Sequence, residues 1–310
     1  MLVSVSPTCH PAGMGKKRGL LLAVLFVALA GGMVWMLSRP PEPAYQGKPL
    51  SAWLNEIFLN EFNFSGVPGD TNKAALVAFL EMGTNAIPAL LKIIQSGDPP
   101  FEGLFSELNG MQSRVHFPVR ETRRQRWAAS FALYAMGANA KSAFPTLTNL
   151  LFDTKVLVSG AFPTMALAGL GSEGVPPLLA ALTNQNALVR ASAASGLGWA
   201  RSDLNIVVPA LTGRLSDQHM WVHYTALEAL CQLHAEPELA VPALMKEFPG
   251  KNPGHRREIL IALGEFGTNA SAAVPLLLEA LSDNDQEERK YAAWALKHID
   301  PAAAAKAGVK

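Results

Sequence analysis

The amino-acid sequence predicts an all-α fold, an α-solenoid of about six stacked helix pairs that follows one transmembrane or signal-anchor helix. Two observations lead to this prediction: prolines recur at a fixed spacing, and an uncharged apolar segment lies near the amino terminus. Of the 310 residues, 49% are hydrophobic and 16% are charged, which is too apolar a composition for a disordered protein. No alternation of apolar and polar residues indicates a β-strand.

The apolar segment near the amino terminus covers residues 19–37 and carries no charged side chain. Its length suits a helix that crosses the hydrocarbon core of a membrane. Basic residues at 16–18 precede it, so we expect residues 1–18 in the cytoplasm and the repeat region on the periplasmic side of a bacterial inner membrane. Residues 28–30, Ala-Leu-Ala, also fit a signal-peptide cleavage site, so a secreted or periplasmic form is the alternative. A Pro-rich stalk and a capping helix follow at 38–69.

The internal period lies in residues 70–300. Six prolines, each followed by the same apolar pattern and four of them spaced by 33 residues, mark it: Pro88, Pro145, Pro176, Pro209, Pro242 and Pro275. Proline suits the first turn of a helix, where its missing N–H would have no partner. We therefore expect the second helix of each pair to begin at these prolines, after a first helix that ends at a glycine. Residues 98–119 form an insertion, the last helix covers about 285–299, and 301–310 are a tail.

Two further expectations concern the first helices. Gly160 and Pro163 interrupt the first helix of the third pair, which should be kinked or shortened. Trp199, Trp221 and Trp294 fall within or beside first helices, so we expect them to pack between neighbouring pairs.

Polar residues also recur with the period, in two sets that we name the acid column and the base column. The acid column consists of Asp153, Asn184, Asp217 and Asp283, each eight residues after a proline. The base column consists of Arg126, Arg190, His223, Arg256 and Arg289. Gly250 takes the acid position of one unit, and Leu157 takes the base position of another.

In this combination of proline, acid, a Val-Arg pair and an Ala-Leu-Gly helix end, the chain resembles the HEAT repeats, including the bacterial HEAT-like repeats related to phycobilin lyases. The resemblance covers roughly residues 70–300. It implies that the acid and base columns form a ladder of hydrogen bonds between neighbouring repeats. The pattern of that family is interrupted at Leu157, His223 and Gly250.

A HEAT-like enzyme would carry a recognisable set of metal ligands or catalytic residues in addition to the repeat. Deoxyhypusine hydroxylases, a HEAT-like enzyme family, hold iron with adjacent His-Glu pairs, and none of the seven histidines here precedes a glutamate. His219 and His223 lie four residues apart on one helix, but His223 already fills the base column. We therefore expect no catalytic, cofactor-binding or metal-binding residues.

A basic cluster ends the insertion and is the candidate docking site for an anionic partner: Arg114, Arg120, Arg123 and Arg124. The alternative is a solvated helix start. A net charge of +1 argues against a nucleic-acid partner, and no small-molecule substrate is evident. We predict a non-catalytic scaffold that binds an unknown protein on its second helices. The alternatives are a HEAT-like enzyme, a tetrapyrrole-handling protein similar to bilin lyases, and a soluble periplasmic binding protein released by cleavage.

Overall fold

The computed structural model describes residues 42–57, 72–96, 119–158, 160–250 and 253–309. The chain divides into two compact units, residues 1–42 and 43–310. The predicted membrane helix at 19–37 and all but the last residue of the predicted insertion at 98–119 lie outside the described residues.

A short β-hairpin opens the second unit, although the sequence showed no strand pattern. Its antiparallel strands are β1 (Ala44–Tyr45) and β2 (Lys48–Pro49), and strands of two residues are too short to show alternation. Helix α1 (Leu50–Glu56) follows and buries Trp53, whose indole Nε1 donates to the carbonyl of Tyr45 at 3.4 Å. The hairpin and α1 begin the array, in the region where the sequence predicted a capping helix.

The remaining helices form six antiparallel pairs and a carboxyl-terminal end. In chain order the pairs are α2 (Lys73–Met82) with α3 (Ile87–Gln95), α4 (Val119–Met136) with α5 (Phe144–Leu150), α6 (Thr154–Val158) and α7 (Phe162–Gly169) with α8 (Val175–Ala181), α9 (Ala187–Leu197) with α10 (Leu204–Arg214), α11 (Met220–Leu233) with α12 (Pro237–Glu247), and α13 (Pro253–Glu265) with α14 (Val274–Ala280). Helices α15 (Gln286–Ile299) and α16 (Pro301–Lys306) end the chain, so the predicted tail is partly helical. First helices pack on neighbouring first helices and second helices on second helices, so the described residues of the second unit form the predicted α-solenoid.

The two helices of pair 1 together span Lys73–Gln95. By length and composition alone, this segment is long and apolar enough to cross a membrane. Gly83, with φ of +55°, separates the two helices. Phe79 and Leu90 from the two helices are fully buried in the core of the array. Packing within the repeats therefore accounts for part of the apolar character of this segment, whereas Val77 and Leu80 of α2 are each 47% exposed.

The second helix begins next to its proline in four pairs but not in pairs 4 and 5. Where a 3₁₀ turn led by a left-handed glycine joins the helices, the proline is the second residue of the second helix. In pairs 4 and 5 the prediction was wrong, because α10 and α12 start earlier and enclose Pro209 and Pro242. Asp203 and Glu236 take the left-handed conformation there, with φ of 57° and 50°, and the helix starts directly after them.

The third pair has the interrupted first helix that the sequence predicted. Gly160, with φ of +145°, separates α6 from α7, and Pro163 is the second residue of α7. The hydroxyl of Ser130, buried in α4, donates to the carbonyl of Phe162 at 2.6 Å. This bond gives the first turn of α7 an anchor on the preceding pair.

The tryptophans divide into two that pack between pairs and one that does not. Trp199 lies 5.6 Å from Tyr134 between ring centroids, and the Trp294 ring lies against Gly264 of the preceding first helix. Trp221 was predicted to pack in the same way, but 63% of its surface is exposed, so this prediction was wrong. The corresponding residue of the next pair, 33 positions later, is Gly254, which has no side chain to cover the Trp221 ring.

Candidate functional site

The acid column shapes the loops that join consecutive pairs. In each of its four members, Oδ1 accepts a hydrogen bond from the backbone N–H two residues later: Asp153 from Lys155 at 3.0 Å, Asn184 from Asn186 at 2.8 Å, Asp217 from His219 at 3.0 Å and Asp283 from Asp285 at 2.9 Å. Such turns are a common use of Asp and Asn, whose short side chains reach their own backbone. The period therefore repeats a turn as well as a helix.

Arg190 and Asp217 form a rung between pairs 4 and 5. The Arg190 guanidinium donates to both carboxylate oxygens of Asp217, through Nε at 2.9 Å and Nη2 at 2.8 Å. Its Nη1 donates to the carbonyls of Asn184 and Gln185 in the preceding loop. The hydrogen bond from Arg190 is the largest cause of a lowered pKa at Asp217. Burial opposes this effect, and the hydrogen bond from the His219 N–H adds to it.

A second rung joins pair 6 to α15. Nη2 of Arg256 lies 2.9 Å from Oδ2 of Asp283 and 2.8 Å from Oε2 of Glu288, whose side chain is 2% exposed. The Asp285 N–H is the first cause of a lowered pKa at Asp283, and burial raises that of Glu288. Arg289 donates to the carbonyls of Asp283 and Asn284, which repeats the loop contact of the first rung.

The ladder changes where the sequence departs from the pattern. His223 Nδ1 lies 2.8 Å from the carbonyl oxygen of Leu215, and its Nε2 lies 3.5 Å from Oε2 of Glu247. Glu247 thereby provides the carboxylate that Gly250 lacks, from three residues earlier. Leu157 is buried, so the base position of its pair contributes to the apolar core.

Arg126 is placed differently from the other arginines of the base column. Its side chain is 1% exposed, and the guanidinium carbon lies 5.5 Å from the centre of the Phe162 ring. Burial lowers its pKa. Asp153 is exposed and bonds to its own loop.

The basic cluster is only partly described. Arg114 lies outside the described residues. Arg120 belongs to the first turn of α4, but its side chain is not among those that the structure describes. Arg123 and Arg124 are exposed. Nη2 of Arg124 donates to the carbonyl of Asn55 at 3.4 Å, so this arginine also joins α4 to the end of α1.

The second helices present a continuous row of exposed residues. All six period-marking prolines are exposed, as are the residues four positions later: Lys92, Asn149, Ala180, Gly213, Lys246 and Glu279. In pairs 3 and 4 the later residues are Ala180 and Gly213, and a Cβ atom added at Gly213 would meet nothing within 4 Å. We call the whole row of prolines and following residues the proline row. Its middle therefore consists of small, uncharged residues and is open to solvent.

The three most exposed large apolar residues of the described part of the chain lie on the edge formed by the loops between pairs. Trp221 is 63% exposed, Met220 57% and Phe152 49%. All loops from a second helix to the next first helix lie on one edge, because antiparallel pairs stack in the same orientation. These side chains are thus placed beside the acid column, next to the ends of the second helices.

One ionisable cluster was missed by the sequence analysis. Glu228 of α11 and His255 and Glu258 of α13 have ligand atoms that all lie within 4.8 Å of one another. Burial raises the pKa of Glu258, and burial with the charge of Glu258 raises that of Glu228. Burial, then the charge of His223, lowers the pKa of His255. Its members come from two helices, so no local motif reveals it.

Comparisons with solved structures find similar chains at low sequence identity. Solved structures similar to this chain include an engineered protein (19% identity, TM-score 0.44, covering 84% of this chain and 82% of that one) and a designed armadillo repeat protein (17%, 0.38, 69% and 100%). The complex of CpcE and CpcF of phycocyanin lyase from Nostoc sp. PCC7120 is also similar (17%, 0.38, 87% and 96%). A comparison with curated proteins finds no match.

The carboxyl-terminal part of the chain matches a family model. Residues 241–307 match the model described as HEAT repeats. They include α13 to α15 and the rung between Arg256 and Asp283, whose counterpart recurs at Arg190 and Asp217. Residues 241–307 are therefore HEAT repeats, and the helix pairs before them repeat the same arrangement.

Proposed function

We propose that this protein is a non-catalytic scaffold that binds another protein along the proline row of its second helices. The observation that carries the proposal is the exposure of all six period-marking prolines in a row with small, uncharged residues at its centre. Stacked repeats present such rows as extended surfaces, and binding to an extended surface is what repeat proteins commonly do.

The composition of the proline row favours a protein partner. The cores of protein interfaces are depleted in charged residues, and Pro176, Ala180, Pro209 and Gly213 supply an uncharged stretch across two pairs. Small side chains there allow a partner to approach the helices closely. Trp221, exposed on the neighbouring loop edge, is of the residue type that most often dominates binding energy.

The proposal includes a place for the scaffold. Residues 19–37 anchor it in a bacterial inner membrane, with residues 38–310 on the periplasmic side. The supporting feature is the run of three basic residues at 16–18 before the apolar segment. Sequencing the amino terminus of the membrane-extracted protein tests this. A mature protein that begins at Gly31 and is recovered from the soluble fraction would replace the anchor by a cleaved signal.

Two lysines placed in the proline row test the binding surface. The double variant Ala180→Lys/Gly213→Lys adds two long cationic side chains at the carboxyl-terminal ends of α8 and α10, where lysine is compatible with the helix dipole. Ala307→Lys is the matched control, because Ala307 is also small, exposed and at the end of a helix. All three chains should show the same helix content and thermal midpoint.

The measurement is crosslinking of each full chain in its native host, followed by identification of the bound proteins. We expect a protein that the unchanged chain and the control capture, and that the double variant captures at least about tenfold less, which corresponds to about 1.4 kcal/mol of binding. Equal capture by the double variant, or capture of no protein above background, would refute the proposed surface.

A further inference from the structure

The junction between pairs 5 and 6 contains three ligand-type side chains that the repeat itself does not require. Glu228 lies on α11, and His255 and Glu258 lie one helical turn apart on α13. Their ligand atoms all lie within 4.8 Å of one another. Residues three apart on a helix share a face, so His255 and Glu258 both face α11 and Glu228.

The three residues are departures from their columns. At the same positions, other pairs hold Val189 and Val222 for His255, Ser192 and Thr225 for Glu258, and Ser195 and Ile261 for Glu228, whereas α15 holds Glu288, Tyr291 and Trp294. Both valines are buried, so an apolar residue satisfies the fold at the position of His255. Stacking therefore explains none of the three ionisable side chains, and all three meet at one junction.

The electrostatics of the cluster are unbalanced without a cation. Two carboxylates lie near each other, and the Oε2 atom of Glu258 is buried with no hydrogen-bond partner in the described part of the chain. A buried carboxylate oxygen without a donor is costly, and a bound cation would compensate both acids at once. The departure at His223, in contrast, is compensated within the protein, because Glu247 lies beside it.

The His255 ring is held in place by its neighbour. Its centroid lies 4.2 Å from that of the Tyr224 ring of α11. His255 lies in the first turn of α13, where the helix dipole disfavours a positive imidazole and so favours the neutral form that binds metals.

We propose that Glu228, His255 and Glu258 bind one divalent transition-metal ion, with zinc as the best-matched ion. One imidazole nitrogen and two carboxylate oxygens form a mixed N/O set, which suits zinc and its first-row neighbours, whereas magnesium and calcium prefer oxygen ligands alone. Three protein ligands leave a coordination position for water. The Glu228 side chain reaches solvent although its carboxylate is partly desolvated, so the ion enters from that side, and it links α11 to α13.

The test is zinc binding by the purified full chain after treatment with EDTA. Calorimetric titration with ZnCl₂ should show one saturable site per chain, and ZnCl₂ but not MgCl₂ should raise the thermal midpoint. Absence of a saturable site with one ion per chain overturns the proposal.

Three variants localise the site. His255→Val restores the residue of two other pairs, and Glu258→Gln removes a buried charge, so both metal-free variants should melt at or above the midpoint of the unchanged chain. Each should weaken zinc binding at least about tenfold. Glu238→Gln, at an exposed acid on α12, is the matched control and should bind as the unchanged chain does. Wild-type affinity in both His255→Val and Glu258→Gln would place any bound zinc elsewhere and overturn the assignment.

Discussion

The replacement Gly264→Ala tests how closely the first helices are packed. Gly264 is buried in α13, and a Cβ atom added there would lie 2.8 Å from Cε3 of Trp294 and 3.0 Å from Cα of Ala295 in α15. The second atom belongs to the backbone of α15, so relief requires the two helices to move apart. Overpacking of this kind costs about 1–3 kcal/mol, and alanine returns about 1 kcal/mol through its helix propensity. The net change is then a loss of about 0–2 kcal/mol, and relative to an unhindered Gly→Ala change in a helix we expect a deficit of about 1–3 kcal/mol.

Gly213→Ala is the matched control, because it makes the same chemical change within a helix where a Cβ atom meets nothing within 4 Å. Only the backbone contribution then remains, so we expect a gain of about 0.5–1 kcal/mol. Urea unfolding followed by far-UV circular dichroism measures both variants, and tryptophan fluorescence reports on Trp294. Repeats can unfold separately, so the transition that includes the carboxyl-terminal pairs is the one to compare. If Gly264→Ala gains as much stability as Gly213→Ala, the tight stacking of α13 on α15 is refuted.

Two other predictions concern the rung and the exposed tryptophan. Asp217→Asn should lose about 2 kcal/mol at neutral pH, because the nearly buried Arg190 guanidinium keeps its position but loses its anionic partner. In the folded state the pKa of Asp217 is lowered below 3.8. The rung therefore stabilises the protein above about pH 4, and this stabilisation is lost as the pH falls through the lowered pKa. The urea midpoints of the variant and the unchanged chain should converge in acid. Trp221→Ser should change the free energy of unfolding by less than about 0.5 kcal/mol, whereas Trp199→Ser should cost at least about 2 kcal/mol; equal losses would contradict the exposure of Trp221.

The sequence predicted the features of the fold that recur with the period. Arg190 and Asp217 are far apart in the chain, yet they meet because stacked units bring corresponding positions together. The starts of α10 and α12 could not be predicted from the prolines, because they depend on left-handed turns at Asp203 and Glu236. Aspartate and glutamate do not predict the left-handed conformation in the way that glycine does. The exposure of Trp221 likewise depends on its neighbour in the next pair.

Departures from the period carry different information from the period itself. A repeated residue serves the stacking that every unit shares, so a residue that breaks its column either is compensated nearby or serves something else. His223 is compensated, because Glu247 supplies the carboxylate that Gly250 cannot. Glu258 is not compensated, since its buried oxygen has no donor among the described residues, and the two other departures at that junction add an imidazole and a second carboxylate. In this protein the uncompensated departures therefore indicate the zinc site, and the compensated ones belong to the ladder.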